Sequence, residues 1–151
     1  MDPSSHLGPR LRHLNLLLRA NMDRKFTSLD LTGTQSFILR HLSACGQEAV
    51  YPKDIEKRFN LTHPTVSGIL QRMEAKGFIT ITPDPDDRRC KMLHTTEKAD
   101  RCQKEVCSYI GQLETVMMDG MTETEKDTFL RCLDRVISNL EQISQKEDAT
   151  L

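Results

Sequence analysis

Two adjacent arginines, Arg88 and Arg89, stand in the stretch TPDPDDRRCKML, Thr82–Leu93, between two runs of β-forming residues. Permanent positive charge at the tip of a short hairpin suits a polyanionic partner. Taken alone, DDRR also fits a solvated turn carrying an exposed ion pair of little worth. The elements that precede the hairpin decide between the two. Other chemistry finds little support. No nucleophile, base and oxyanion donor occur together, and no glycine-rich phosphate loop is present, so the chain is not expected to be an enzyme and no cofactor is implied. His6, His13, His41, His63 and His94 are scattered singly, and no metal site is expected from them. Cys45, Cys90, Cys102, Cys107 and Cys132 form an odd set without a CxxC, which indicates neither a disulfide framework nor a thiolate zinc site.

The chain has 151 residues, enough for one domain or for a small domain with helical extensions. Its longest apolar runs, such as LNLLL, are too short to cross a bilayer, and no signal-peptide pattern opens it, so a cytoplasmic protein without membrane contact is expected. The net charge of −1 hides a gradient: residues 1–31 and 32–95 each sum to +2, whereas residues 96–151 sum to −5. A basic centre beside an acidic tail fits one face turned to a polyanion and another turned to solvent or a partner chain.

Local signals place the elements. Leu7, Leu11, Leu14, Leu18 and Met22 form one stripe of a first helix ending near Phe26. Thr32 and Gln35 make a capping box for a second, with Phe37, Ile38, Leu39 and Leu42 on its buried face and Gly46 as its stop. Pro52 opens a short third helix, with Ile55 and Phe59 inward and Asn60 able to end it in a left-handed conformation. Thr62 is the N-cap of a fourth, whose Val66, Ile69, Leu70 and Met73 face inward and which Gly77 ends. Two helices joined by so short a turn are a helix-turn-helix. The alternation of FITIT, with Ile79 and Ile81 on one face, the turn PDPDDRR and the return CKMLH make a hairpin, and Thr95 or Thr96 caps the next helix. This fifth helix carries Ala99, Cys102, Val106, Ile110, Leu113 and Met117 in one stripe. Thr122 and Glu125 cap a sixth, with Phe129, Leu133, Val136, Leu140 and Ile143 spaced by four and three. The expected fold is mainly α with a small β-hairpin: a winged helix-turn-helix over 31–95, flanked by dimerisation helices at 1–30 and 96–151.

The segments LTHPTVSGILQRMEAKGFI and PDPDDRRCKMLHTTEKA resemble the multiple antibiotic resistance regulator (MarR) family of winged-helix transcription factors, with its "EKG" helix end, "DRR" wing and "LTEKG" return. The resemblance covers Leu31 to Ala99. It implies a homodimer that binds pseudo-palindromic operator DNA, and repression relieved by a small aromatic or lipophilic ligand or by oxidation. The fourth helix would enter the major groove with His63, Thr65, Ser67, Gln71 and Arg72 toward the bases, and Arg88 and Arg89 would lie in a narrow minor groove. Asp87 matches the family's wing aspartate, whose implied role is to hold an arginine. Arg72 has a second candidate partner in Glu74. Pro83 and Pro85 restrict the wing loop and lower the entropy lost on docking.

Departures from the family pattern qualify these expectations. Gly68 falls where many members place an arginine; it weakens the helix by roughly 1 kcal/mol relative to alanine but lets backbone approach DNA. Glu56 replaces a small apolar residue and Thr95 a leucine, both expected to be local packing differences. Cys90 is an exposed wing thiol that fits either an oxidation sensor or a tolerated surface residue. The ligand site that the family would place between the first, second and fifth helices brings in Leu14, Phe37, His41 and Tyr109. A winged helix that binds a protein rather than DNA is the alternative outside this class; steep salt dependence would separate the two.

Overall fold

A computed structural model of the chain describes residues 6–46 and 48–148. The elements run α1 (Leu7–Ser28), α2 (Gly33–Cys45), α3 (Pro52–Phe59), α4 (His63–Ala75), β1 (Ile79–Pro83), β2 (Lys91–Thr95), α5 (Glu97–Met117) and α6 (Glu123–Asp148). Two compact units divide after Tyr109.

In the first unit, each boundary has a local cause. The α2 capping box forms as read: the Gln35 N–H donates to Thr32 Oγ1 at 3.3 Å and the Thr32 N–H to Gln35 Oε1 at 3.1 Å. Asn60 takes the left-handed conformation (φ 50°, ψ 48°) that closes the α3–α4 turn, and the Asn60 and Leu61 N–H groups both donate to the Glu56 carbonyl. Gly77, at φ 73°, turns the chain from α4 into β1. The strands pair antiparallel from Ile79↔Thr95 to Pro83↔Lys91, and the Leu93 N–H donates to the Val50 carbonyl at 2.9 Å. That bridge adds a minimal third strand which AVY did not announce. Thr96 is the residue that caps α5, its Oγ1 accepting from the Ala99 N–H.

The core of this unit is aliphatic. Ile38, Leu39, Ile55, Val66, Met73, Phe78 and Ala99 are fully buried, joined by Leu42, Leu70, Ile79, Leu93 and Val106. Three expectations need correction. Phe37 is 48% exposed, because the buried face of α2 is set by Gln35, Ile38, Leu39 and Leu42, and residue 37 falls outside that stripe; Arg40 lies over its ring at 5.2 Å. Thr62 stands at the N-cap of α4, but its hydroxyl meets Thr65 Oγ1 at 2.9 Å rather than a backbone N–H. Helix α1 runs on to Ser28, where Leu29 and the left-handed Asp30 stop it, and it buries only Phe26 while Leu7, Leu14, Leu16 and Leu17 stay exposed.

The second unit comprises the end of α5 and all of α6. The Thr122–Glu125 capping box forms, and the bonds from Thr122 hold the Glu125 carboxyl below the usual carboxylate range. Phe129, Leu130, Ile137 and Ile143 on α6 are exposed, as is Val116 on α5, while Leu133 and Val136 are half-buried. Among the described residues, no helix is long and apolar enough to cross a membrane.

Candidate nucleic-acid interface

The fourth helix has two chemically distinct sides. Val66, Ile69, Leu70 and Met73 lock one side into the core, whereas His63, Thr65, Gln71 and Arg72 are exposed and Ser67 and Gly68 half-buried. Apolar residues at i, i+3, i+4 and i+7 leave the polar side facing out. Two contacts depart from expectation. Oε1 of Glu56 lies 2.6 Å from Nδ1 of His63, so Glu56 makes a hydrogen-bonding contact with the first residue of α4 rather than being a packing difference. The guanidinium of Arg72 folds back over Gly68, with Nη1 3.6 Å from where a Cβ on that glycine would stand. Glu74 does not serve Arg72; its Oε1 accepts the Ile81 N–H at 3.1 Å and ties α4 to the wing.

The hairpin tip is organised by aspartates. The Asp84 N–H donates to the Cys90 carbonyl at 3.0 Å, and the Cys90 N–H to the Asp87 carbonyl at 2.8 Å. Asp84 is almost fully buried, with Oδ1 accepting the Asp86 N–H at 2.8 Å and Oδ2 accepting the Tyr51 hydroxyl at 2.6 Å. Asp87 needs correction: its Oδ1 accepts the Arg89 backbone N–H at 3.0 Å, so it shapes the turn and does not hold a guanidinium. Arg88 and Arg89 are exposed, and neither makes an ion pair among the described residues. The folded tip therefore presents two exposed cations that form no direct ion pair with the adjacent Asp86 and Asp87 carboxylates among the described residues.

The Tyr51–Asp84 bond fastens the wing to the start of α3. The Tyr51 hydroxyl, then the N–H groups of Asp86 and Asp87, hold the Asp84 carboxyl below its ordinary range. Donation to Asp84 pushes the Tyr51 phenol up to about 12. A lowered acid stabilises the fold above its unfolded pKa and loses that effect as pH falls through the folded value; a raised phenol loses its effect as pH rises through about 12. The fastening is thus intact across the neutral range. Tyr51→Phe should move the Asp84 pKa upward, so the wing loosens at a higher pH on acidification. A carboxyl NMR titration reads this directly, and an unmoved Asp84 would show that the bond does not form.

Cys90 is exposed, but desolvation and then the charge of Asp87 push its thiol up, and Sγ–H points at Asp87 Oδ2 at 3.7 Å. A raised pKa leaves little thiolate, which disfavours an oxidation sensor. The four residues considered for a ligand have separate surroundings. Leu14 is 40% exposed, Phe37 faces out under Arg40, His41 meets the Phe59 ring edge-on and Cys45 Sγ at 3.9 Å, and the Tyr109 hydroxyl donates to the Asn21 carbonyl at 3.5 Å. A recess of about 320 Å³ lies elsewhere, lined by Leu42, Glu48, Val50, Met92, Leu93 and His94. Among the described residues no three His, Cys, Asp or Glu side chains are grouped to hold a metal ion.

A helix-turn-helix with an exposed polar second helix, followed at once by a hairpin tipped with unpaired arginines, defines a winged-helix DNA-binding protein. Residues 29–89 match the pattern of the MarR family. The chain superposes on the Staphylococcus aureus MepR–DNA complex with a TM-score of 0.76 at 26% identity, over 85% of this chain and 96% of that one. MarR from Oenococcus oeni PSU-1 is 29% identical over 88% and 99%, with a TM-score of 0.59. MepR described as a transcription regulator of the S. aureus multidrug efflux pump MepA gives a TM-score of 0.82 at 24% identity, over 89% and 98%. Residues 29–89 thus match the MarR family, and the fold is similar to that of solved transcription regulators of this family.

Proposed function

We propose that the protein is a homodimeric repressor that binds a pseudo-palindromic operator, each protomer inserting α4 into a major groove and its wing into the flanking minor groove. The observation that carries this reading is the pair of exposed, unpaired arginines on a wing fastened at its base by Tyr51–Asp84. A pre-ordered cationic tip loses little entropy on docking, and a narrow minor groove attracts arginine. His63, Thr65, Ser67 and Gln71 are the base-edge candidates, with half-sites roughly 10 bp apart. Residues 31–95 form the DNA-binding module in this reading, and 1–30 and 96–151 the arms that join two copies. Support for the arms comes from the apolar side chains left exposed on α1 and α6, of which Leu16, Phe129, Leu130 and Ile137 are each more than 40% accessible. Large apolar side chains left exposed on a helix in this way fit an interface. A small aromatic or lipophilic effector belongs to the reading by analogy with MepR, a transcription regulator of a multidrug efflux pump.

Gly68 has a defined part. The Arg72 guanidinium beside it supplies charge at the position where family members carry an arginine one turn earlier, and the bare backbone lets the groove come close. Gly68→Ala should raise thermal stability by up to ~1 kcal/mol, since the added methyl meets only a flexible side chain at van der Waals distance. The same methyl should weaken DNA binding by standing between the helix backbone and the groove. Denaturation and binding measured on one preparation test both; stabilisation with unchanged affinity would remove Gly68 from the interface. The whole reading is tested by fluorescence anisotropy against intergenic fragments of the source genome at two salt concentrations. Tight, salt-sensitive binding to a few fragments is expected, and indifference to both sequence and salt would favour a protein partner.

A further inference from the structure

The contact between Glu56 and His63 bears on which base is read. The α3–α4 turn hangs on Glu56: its carbonyl accepts the Asn60 and Leu61 N–H groups, while its side chain reaches across to the first residue of α4. The Glu56 side chain is 21% exposed and that of His63 76%, so the carboxylate is held inward and the imidazole outward. An ionised carboxylate only accepts hydrogen bonds, so at 2.6 Å the proton lies on Nδ1 of His63. The ring's other nitrogen is then fixed as well. In the neutral imidazole Nε2 carries a lone pair and no hydrogen. We propose that Glu56 is a positioning residue that makes His63 a hydrogen-bond acceptor toward the major groove, selecting on the strand it faces a base that offers an exocyclic amine. Adenine N6 and cytosine N4 are the donors of that groove; guanine and thymine present acceptors to the same place.

This inference rests on α4 entering the major groove, and the test separates the two. Wild type, Glu56→Gln, Glu56→Ala and His63→Ala are each used to select binding sites from a randomised DNA duplex pool, and imidazole nitrogen NMR reads the tautomer of His63 in the free proteins. Wild type should place the proton on Nδ1 and enrich A or C at one position of each half-site. Glu56→Gln, which keeps the acceptor oxygen without its charge, should retain both properties. Glu56→Ala and His63→Ala should lose the preference at that position alone, by roughly tenfold, with the rest of the selected site unchanged. Three results overturn the proposal: a wild-type ring carrying a proton on Nε2, unchanged affinity when the exocyclic amine of the enriched A or C is removed from the selected duplex, or an unaltered preference in Glu56→Ala. A uniform loss of affinity in His63→Ala, with no position affected, would assign His63 to phosphate and likewise overturn it. Failure of wild type to enrich any sequence would instead sink the DNA-binding reading beneath it.

Discussion

Replacing both Arg88 and Arg89 by alanine should weaken operator binding on the order of a hundredfold to a thousandfold near physiological salt while leaving the fold intact. The size of the effect comes from the geometry. Both side chains are exposed and make no ion pair among the described residues, so their removal breaks nothing in the free protein. The proposed dimer would lose four cations. At somewhat under ~1 kcal/mol for each, the sum reaches about 3–4 kcal/mol, and every 1.4 kcal/mol is a factor of ten. Each phosphate contact also contributes about 0.9 to the slope of log affinity against log salt, so the slope should flatten by up to about 3 to 4. Affinity and slope are independent readouts, which gives the test its power. Reduced affinity with an unchanged slope would mean that the wing acts through shape rather than charge. No change in either would take the wing out of the mechanism. The single variants divide the effect: Asp87 and the turn aim the two arginines differently, since only the Arg89 N–H is held by Asp87.

Most of the architecture was legible because its determinants are local. Thr32 with Gln35, Thr122 with Glu125, the left-handed Asn60, and Gly77 each act within a few residues of themselves, and the structure places each of them as read. Phe37 faces out for a physical reason. A run of three neighbouring apolar residues does not say which of them face in, and the buried polar pair Gln35 and Ser36 took the place given to the aromatic. Gln35 is satisfied by its capping role and the Ser36 carbonyl by Gln103 Nε2, so burying this polar segment leaves those groups bonded. The candidate site was legible as a set of exposed positions, but the contacts that hold it were not. Tyr51 and Asp84 are 33 residues apart, and Glu56 and His63 meet across a turn. Neither pair leaves a periodic or composition signal. Asp84 in particular reads as one more polar residue in a turn, and only the fold shows it buried beneath the hairpin.

Phe78→Ala should be the most damaging single core substitution, costing about 3–5 kcal/mol. Phe78 is fully inaccessible and is the bulkiest of the side chains so buried. It also stands where three elements meet. Its N–H donates to the Met73 carbonyl at the end of α4, and its carbonyl accepts from the N–H and hydroxyl of Thr96, the cap of α5. Lys98 closes the site from outside, with Nζ 4.4 Å from the ring centre and donating to the Lys76 carbonyl at 2.7 Å. Truncation therefore removes transfer free energy, leaves a cavity between elements tied down by their own hydrogen bonds, and deprives Lys98 of its aromatic face. Since domains of this size are stable by about 5–15 kcal/mol, the loss takes a large share. A fall in Tm of roughly 10–20 °C is expected. Phe78→Leu, which refills most of the volume, should recover more than half of it. The wing should suffer before the helices do, because Phe78 immediately precedes β1 and anchors it to α4. Hydrogen exchange at Leu93 and Ile81 should accelerate in the alanine variant at temperatures where the amides of α2 remain protected. Equal acceleration in all elements would show that the hairpin and the helical core open as one cooperative unit.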